Sequence, residues 1–160
     1  MTKSVKPIPD GYHTLTAYII VRNASDAIEF YKRAFGAEER LRMCGPDGKT
    51  IGHAELKIGD SMLMMADEAV APTSKSPQTL NGTTFCFCMY VDNVDAAFQR
   101  AVDAGAKVLR PLADMFYGDR VGMLIDPYGH QWGLMMHVED VPPEELGKRA
   151  AAEHAKMASK

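Results

Sequence analysis

TTFCFCMYVDNVDAAFQRAVDAGAKVLRP, residues 83–111, reads as strand, helix, strand, and that order decides the fold. TTFCFCMYV is rich in β-branched and aromatic residues, which suit a pleated surface. Successive strand side chains point to opposite faces, so Thr84, Cys86, Cys88 and Tyr90 share one. The period then changes. Val94, Ala97, Phe98, Ala101 and Val102 fall on one helical face, and Gly105 stops the helix. AKVLRP is a second strand, expected to be cut at Pro111, which has no N–H to give a ladder. The excursion LADMFYGDR, a strand VGMLID, the turn DPYGH and a strand QWGLMMHV complete a β-α-β-β-β order.

The same order stands upstream. TLTAYIIV (Thr14–Val21) is a strand, and NASDAIEFYKRAFGAE is a helix capped by Asn23 and ended by Gly36. Ala27, Ile28, Tyr31, Ala34 and Phe35 make its apolar face. The turn GPDG (45–48) divides a hairpin with flanks near Leu41–Met43 and Ile51–Ile58, and SMLMMA (Ser61–Ala66) is a further strand. YIIVRN (18–23) lies over MYVDN (89–93), FGAE (35–38) over AGAK (104–107) and GDSMLMM (59–65) over GHQWGLM (129–135). The chain is a tandem repeat with a period of about 70 residues. Pairing the halves, within one chain or with a second, is expected to give one continuous sheet. The polar connector from Asp67 to about Gly82 is a linker or a lid. After Val138, Asp140 and the prolines suit a helix start, and Leu146, Ala150, His154 and Met157 give a thin apolar stripe. This tail either frays or packs on a partner subunit.

With 160 residues, 46% hydrophobic and 24% charged, the chain is long and apolar enough for one ordinary domain. A net charge of -3 and no basic run argue against a nucleic-acid groove. No apolar run reaches membrane length, and MTKSVKPIPDGYH lacks the apolar core of a signal peptide, so no membrane is expected and a cytoplasmic location is. Three cysteines, Cys44, Cys86 and Cys88, make no disulfide framework.

AIEFYKRAFGAEE, IGHAELKIGDSMLMMAD, VDNVDAAFQRAVDAGAKVLRP and FYGDRVGMLIDPYGHQWGL, in that order, resemble the vicinal-oxygen-chelate superfamily of glyoxalases, bleomycin-resistance proteins and ring-cleaving dioxygenases. More narrowly the chain is similar to its PhnB-like branch, over roughly residues 12–138. The resemblance implies an α+β fold of two βαβββ modules (about 12–66 and 83–138) forming a curled mixed sheet with a central cleft. It also implies a homodimer; residues 139–160, beyond its reach, are expected to form a C-terminal helical tail from their own pattern. In metal-dependent relatives the ligands, usually His, Glu or Gln, lie early on the first strand and on the last strand of each module. Carried onto this chain those places are approximately Thr16, Leu63, Cys86 and Gly133. A leucine and a glycine supply no donor, and the usual metal site is not expected.

Other residues carry possible chemistry. His53 and Glu55 are two apart on a strand and can form an acid–base pair. Cys86 is a nucleophile, a soft ligand or a small buried hydrophobe. Phe116 and Tyr117 can stack on a ligand, and Arg120 can pair with a carboxylate or phosphate, or else help fix its loop. Trp132 is a core or cavity-wall residue. His130 is expected to bond backbone in its turn. The expected ligand-binding residues are therefore Thr16, Tyr18, His53, Cys86, Cys88, Tyr90, Phe116, Tyr117, Arg120 and Trp132, with His53, Glu55 and Cys86 as weaker catalytic candidates. The first reading is a small-molecule binding protein of the bleomycin-resistance type, with no cofactor and a small organic ligand. The alternative is a metal-dependent glyoxalase-like lyase, isomerase or dioxygenase with a divalent ion on non-standard ligands. A metal-free enzyme using Cys86 or His53 ranks third.

Overall fold

The computed structural model describes residues 5–158, without the Met157 side chain, so that position of the tail's apolar stripe lies outside the described residues. The first module contains β1 (Ala17–Val21), α1 (Ala24–Phe35), β2 (Glu38–Cys44), β3 (Ile51–Ile58) and β4 (Ser61–Asp67). A 3-10 turn (Glu68–Val70) and the short α2 (Pro77–Leu80) follow. The second module contains β5 (Cys86–Tyr90), α3 (Val94–Asp103), β6 (Lys107–Asp114), β7 (Asp119–Ile125) and β8 (Gln131–His137), and α4 (Pro143–Ala158) ends the chain. Each module is a four-stranded mixed sheet, β1-β4-β3-β2 and β5-β8-β7-β6, in which the first strand runs parallel to the last.

The helix boundaries follow the capping residues. The Asn23 side chain accepts from the Asp26 amide, and Gly36 at φ 67 takes the left-handed conformation that closes α1. The Asn93 side chain accepts from the Ala96 amide at the start of α3.

Pro111 does not cut its strand, which runs on to Asp114. β6 is the outer strand of its sheet, and its register shifts between Arg110 and Ala113. At an edge or a bulge a missing N–H breaks no obligatory ladder bond.

The two sheets stay separate within the chain. One apolar core joins Ile19, Val21, Leu56 and Met65 of the first sheet, Phe30 and Phe35 of α1, Phe98 of α3, and Leu124, Trp132 and Leu134 of the second sheet. The helices therefore lie on the inner side of both sheets, and the far face of each sheet is open. Phe35 and Trp132 meet across the module junction at 4.3 Å between ring centroids. Asp126 locks this junction. One of its oxygens accepts from Tyr31 of α1 at 2.7 Å and from the Trp132 indole at 2.9 Å, and the other takes the Tyr128 and His130 amides. The α+β fold of two βαβββ modules is the one the resemblance implied, and within one chain the two sheets are not joined into a single continuous one.

The connector is pinned to both modules. Glu68 accepts from Arg22, Ser76 and Thr79, and the Gln78 amide reaches the Pro127 carbonyl at 3.1 Å. Bonded at both ends, it ties the two modules together as a linker. The C-terminal helix is held by Arg149, which bonds Glu139 and Glu145.

Candidate functional site

Cross-strand register places Tyr18, Met64, Glu55 and Leu41 in one row across the open face of the first sheet. His53 lies in the neighbouring row, opposite Met43. Tyr18, Leu41 and Met43 are exposed there, at 48%, 40% and 55%. On this apolar ground the polar groups form one chain. The Tyr18 hydroxyl lies 3.2 Å from His53 Nδ1, and His53 Nε2 lies 3.1 Å from Glu55 Oε1. The Tyr12 hydroxyl donates to the other Glu55 oxygen. Tyr12 belongs to the segment that precedes β1. With Pro7, Ile8 and Thr14 it walls a cleft of ≈ 590 Å³ whose floor is Glu55 and Met64.

The Tyr12 hydrogen bond, seconded by His53, holds the Glu55 carboxyl below its usual range despite burial. Glu55 is therefore a carboxylate at neutral pH. Burial and the same carboxylate push the Tyr12 phenol up to about 12. Thr16 sits just before β1, half-buried, outside the hydrogen-bonded chain.

The second open face carries Cys86, Cys88 and Tyr90, as the alternation requires. A second polar chain joins it. Tyr90 donates to Asp119 at 2.6 Å, Asp119 lies 2.8 Å from His137 Nδ1, and His137 Nε2 lies 2.9 Å from Asp140. The Tyr90 hydrogen bond and then His137 hold Asp119 low, and Asp119 in turn raises His137. Sequence reasoning missed this group because its members come from β5, β7, β8 and the chain beyond. Tyr12 was missed likewise, since nothing in the sequence says which strand the N-terminal segment crosses.

Several expected site residues lie elsewhere. Trp132 is 3% exposed and belongs to the core between α1 and the second sheet. Arg120 is turned toward α3, where it bonds both Asp95 oxygens and also Asp114, so its guanidinium is already taken. Asp119 does not pair with it. Phe116 and Tyr117 pack edge to face at 5.3 Å in the β6–β7 turn. Cys86 is half-buried, and burial together with Cys88 pushes its thiol up, the opposite of an activated nucleophile. The His130 ring was expected to bond backbone in its turn; instead its own backbone amide donates to Asp126, and its buried Nδ1 has no hydrogen-bond partner.

The metal positions implied by the resemblance need one adjustment. Leu63 faces the helices at 4% exposure, and the open-face residue that matches Gly133 by register is Met64. The set Thr16, Met64, Cys86 and Gly133 does not fit a hard or borderline divalent ion. Among the described residues no three His, Cys, Asp or Glu side chains converge on one point.

The comparisons agree with this architecture. The model of the Glyoxalase/Bleomycin resistance protein/Dioxygenase superfamily matches residues 12–134, and the chain belongs to that superfamily. An uncharacterised protein of Mycobacterium tuberculosis is 42% identical over 135 residues, 82% of this chain and 79% of the relative. The X-ray structure of an Arabidopsis thaliana gene product superposes with a TM-score of 0.65 at 26% identity, over 80% of this chain and 99% of that one. The PhnB protein of Bacillus cereus shares the fold, with a TM-score of 0.61 at 19% identity over 78% and 99% of the two chains. No helix among the described residues is long and apolar enough to cross a membrane.

Proposed function

We propose that the protein binds a small organic molecule on the open face of the first sheet, without the superfamily's usual metal. The observation that carries this reading is the Tyr12–Glu55–His53–Tyr18 chain, a line of polar groups on an apolar sheet face. A concave apolar site with a few convergent polar groups is the ordinary form of a ligand site. An ionised Glu55 at the floor favours a guest bearing a cation or a strong hydrogen-bond donor. Homodimerisation belongs to the same reading. A second copy that lays its β5–β8 face over this one completes an enclosed cleft and covers the apolar side chains on both.

Thermal-shift and calorimetric screening of organic amines against their neutral and anionic analogues tests the proposal. Amines are expected to bind best, and Glu55→Gln to weaken them by roughly 10-fold, the worth of one charge-assisted bond. Preference for anions, or indifference to Glu55→Gln, overturns it.

A second reading rests on the orientation of His53, which has Glu55 at one ring nitrogen and the Tyr18 hydroxyl at the other. That is the layout of a base oriented by Glu55 that acts through Tyr18: as the Tyr18 hydroxyl passes its proton to His53, its oxygen can take one from a bound carbonyl compound without a metal. Solvent-deuterium exchange into a bound ligand, abolished by His53→Gln, is its signature.

A further inference from the structure

The open face of the second sheet gathers four sulfur side chains around one glycine. Cys86 and Cys88 share this face of β5, and Cys88 stands opposite Gly133 of β8. Met123 of β7 stands opposite Gly133 on its other side. Met135 is the next residue of β8 on the same face. A Cβ placed on Gly133 would lie 3.3 Å from Met123 Sδ and 3.4 Å from Met135 Cε. Both thioether chains thus lean into the room that a side chain at 133 would occupy. Two thiols and two thioethers share one sheet face around the hollow left by Gly133.

We propose that this hollow is a binding site for a soft, thiophilic monovalent cation of the copper(I) type, with Cys86 and Cys88 as thiolate ligands and Met123 as thioether ligand. Thiolate and thioether sulfur select such ions, whereas magnesium and manganese prefer oxygen ligands and gain nothing from these sulfurs. The donors that fail the superfamily's divalent chemistry are the ones this chemistry needs. Gly133 supplies the space, and its amide can bond a sulfur that carries negative charge. Cys86 donates to the Phe87 carbonyl at 3.2 Å, so its thiol proton must leave before the sulfur can ligate. Binding therefore releases one proton to solvent from each thiol that ligates, and affinity rises with pH. Cysteines two apart on an extended strand are badly placed to close a disulfide, which leaves both sulfurs to a ligand. Within one subunit the site lies on the other sheet from the guest proposed above, and in a face-to-face dimer the two would share one cleft.

The test is an anaerobic titration of reduced, full-length Cys44→Ser protein with copper(I), against a chromophoric copper(I) chelator. This background removes the third thiol, which is exposed at the end of β2 on the other sheet. One equivalent is expected to leave the chelator, with zinc(II) not retained. Cys86→Ser or Cys88→Ser is expected to cost more than the roughly 10–100-fold typical of an outer-shell group, and Met123→Leu roughly 10-fold. Melting curves of the metal-free variants verify that each is folded. No withdrawal from the chelator, or equal affinity in the Cys86→Ser/Cys88→Ser double variant, overturns the site. Affinity unchanged when Met123 and Met135 are both leucine reduces it to an ordinary dithiol and overturns the thioether assignment.

Discussion

His130 and His137 show how the surroundings of a side chain set its sign. His130 is buried, and that burial lowers its pKa because the charged ring cannot be hydrated. Its folded form prefers to stay neutral, so its contribution is present above the unfolded pKa and is lost as pH falls below about 6.5. His137 is raised by Asp119 and Asp140, so its contribution is complete below the unfolded pKa and is lost as pH climbs through the folded one. The two oppose each other on acidification. Urea midpoints at pH 7.5 and 5.5 separate them: His130→Leu is expected to reduce the loss on acidification, and His137→Asn to deepen it. Tyr31 is a third case. Tyr31→Phe keeps the ring packing but takes one donor from a buried carboxylate, and is expected to cost about 1–3 kcal/mol in denaturant unfolding. At this scale the sequence was legible where partners sit two apart on one strand, as His53 and Glu55 do. It was illegible where partners come from different strands, as Tyr12, Asp119 and His137 do, because register and loop paths are tertiary facts.

Strand and helix identities were legible because period 2 and period 3.6 differ sharply within each half. The errors fell where position in the sheet decides. Pro111 reads as a stop until β6 is known to be an outer strand. The repeat aligned Leu63 with Gly133, yet ladder register pairs Met64 with the same place, a one-residue slip that moves a side chain to the other face. Gly122 shows how tightly strand and helix meet. A Cβ there would sit 2.4 Å from Phe98 Cε2 and 3.1 Å from Leu112 Cδ2. Gly122→Ala is expected to cost about 1–3 kcal/mol by forcing β7 from α3, with part of the loss recovered when Phe98→Leu is added. Chemical denaturation of the single and double variants measures both.

For the molecule as a whole, the tandem order predicted the two modules but not which way they turn. Apolar helix faces are buried equally well beneath one joined sheet or between two, so hydrophobic pattern alone does not choose. The contacts that choose, Phe35 with Trp132 and Tyr31 with Asp126, are single pairs between distant parts of the chain. With the helices inside, Tyr18 and Cys88 stand on separate outer faces and cannot touch within one subunit. Substitutions at the two places should then add in free energy within about 0.5 kcal/mol in an isolated subunit. If copies pair face to face, the same two residues share a cleft and the sum should fail. A double-mutant cycle on Tyr18→Phe and Cys88→Ser, run above and below the dissociation concentration, makes arithmetic itself report on assembly.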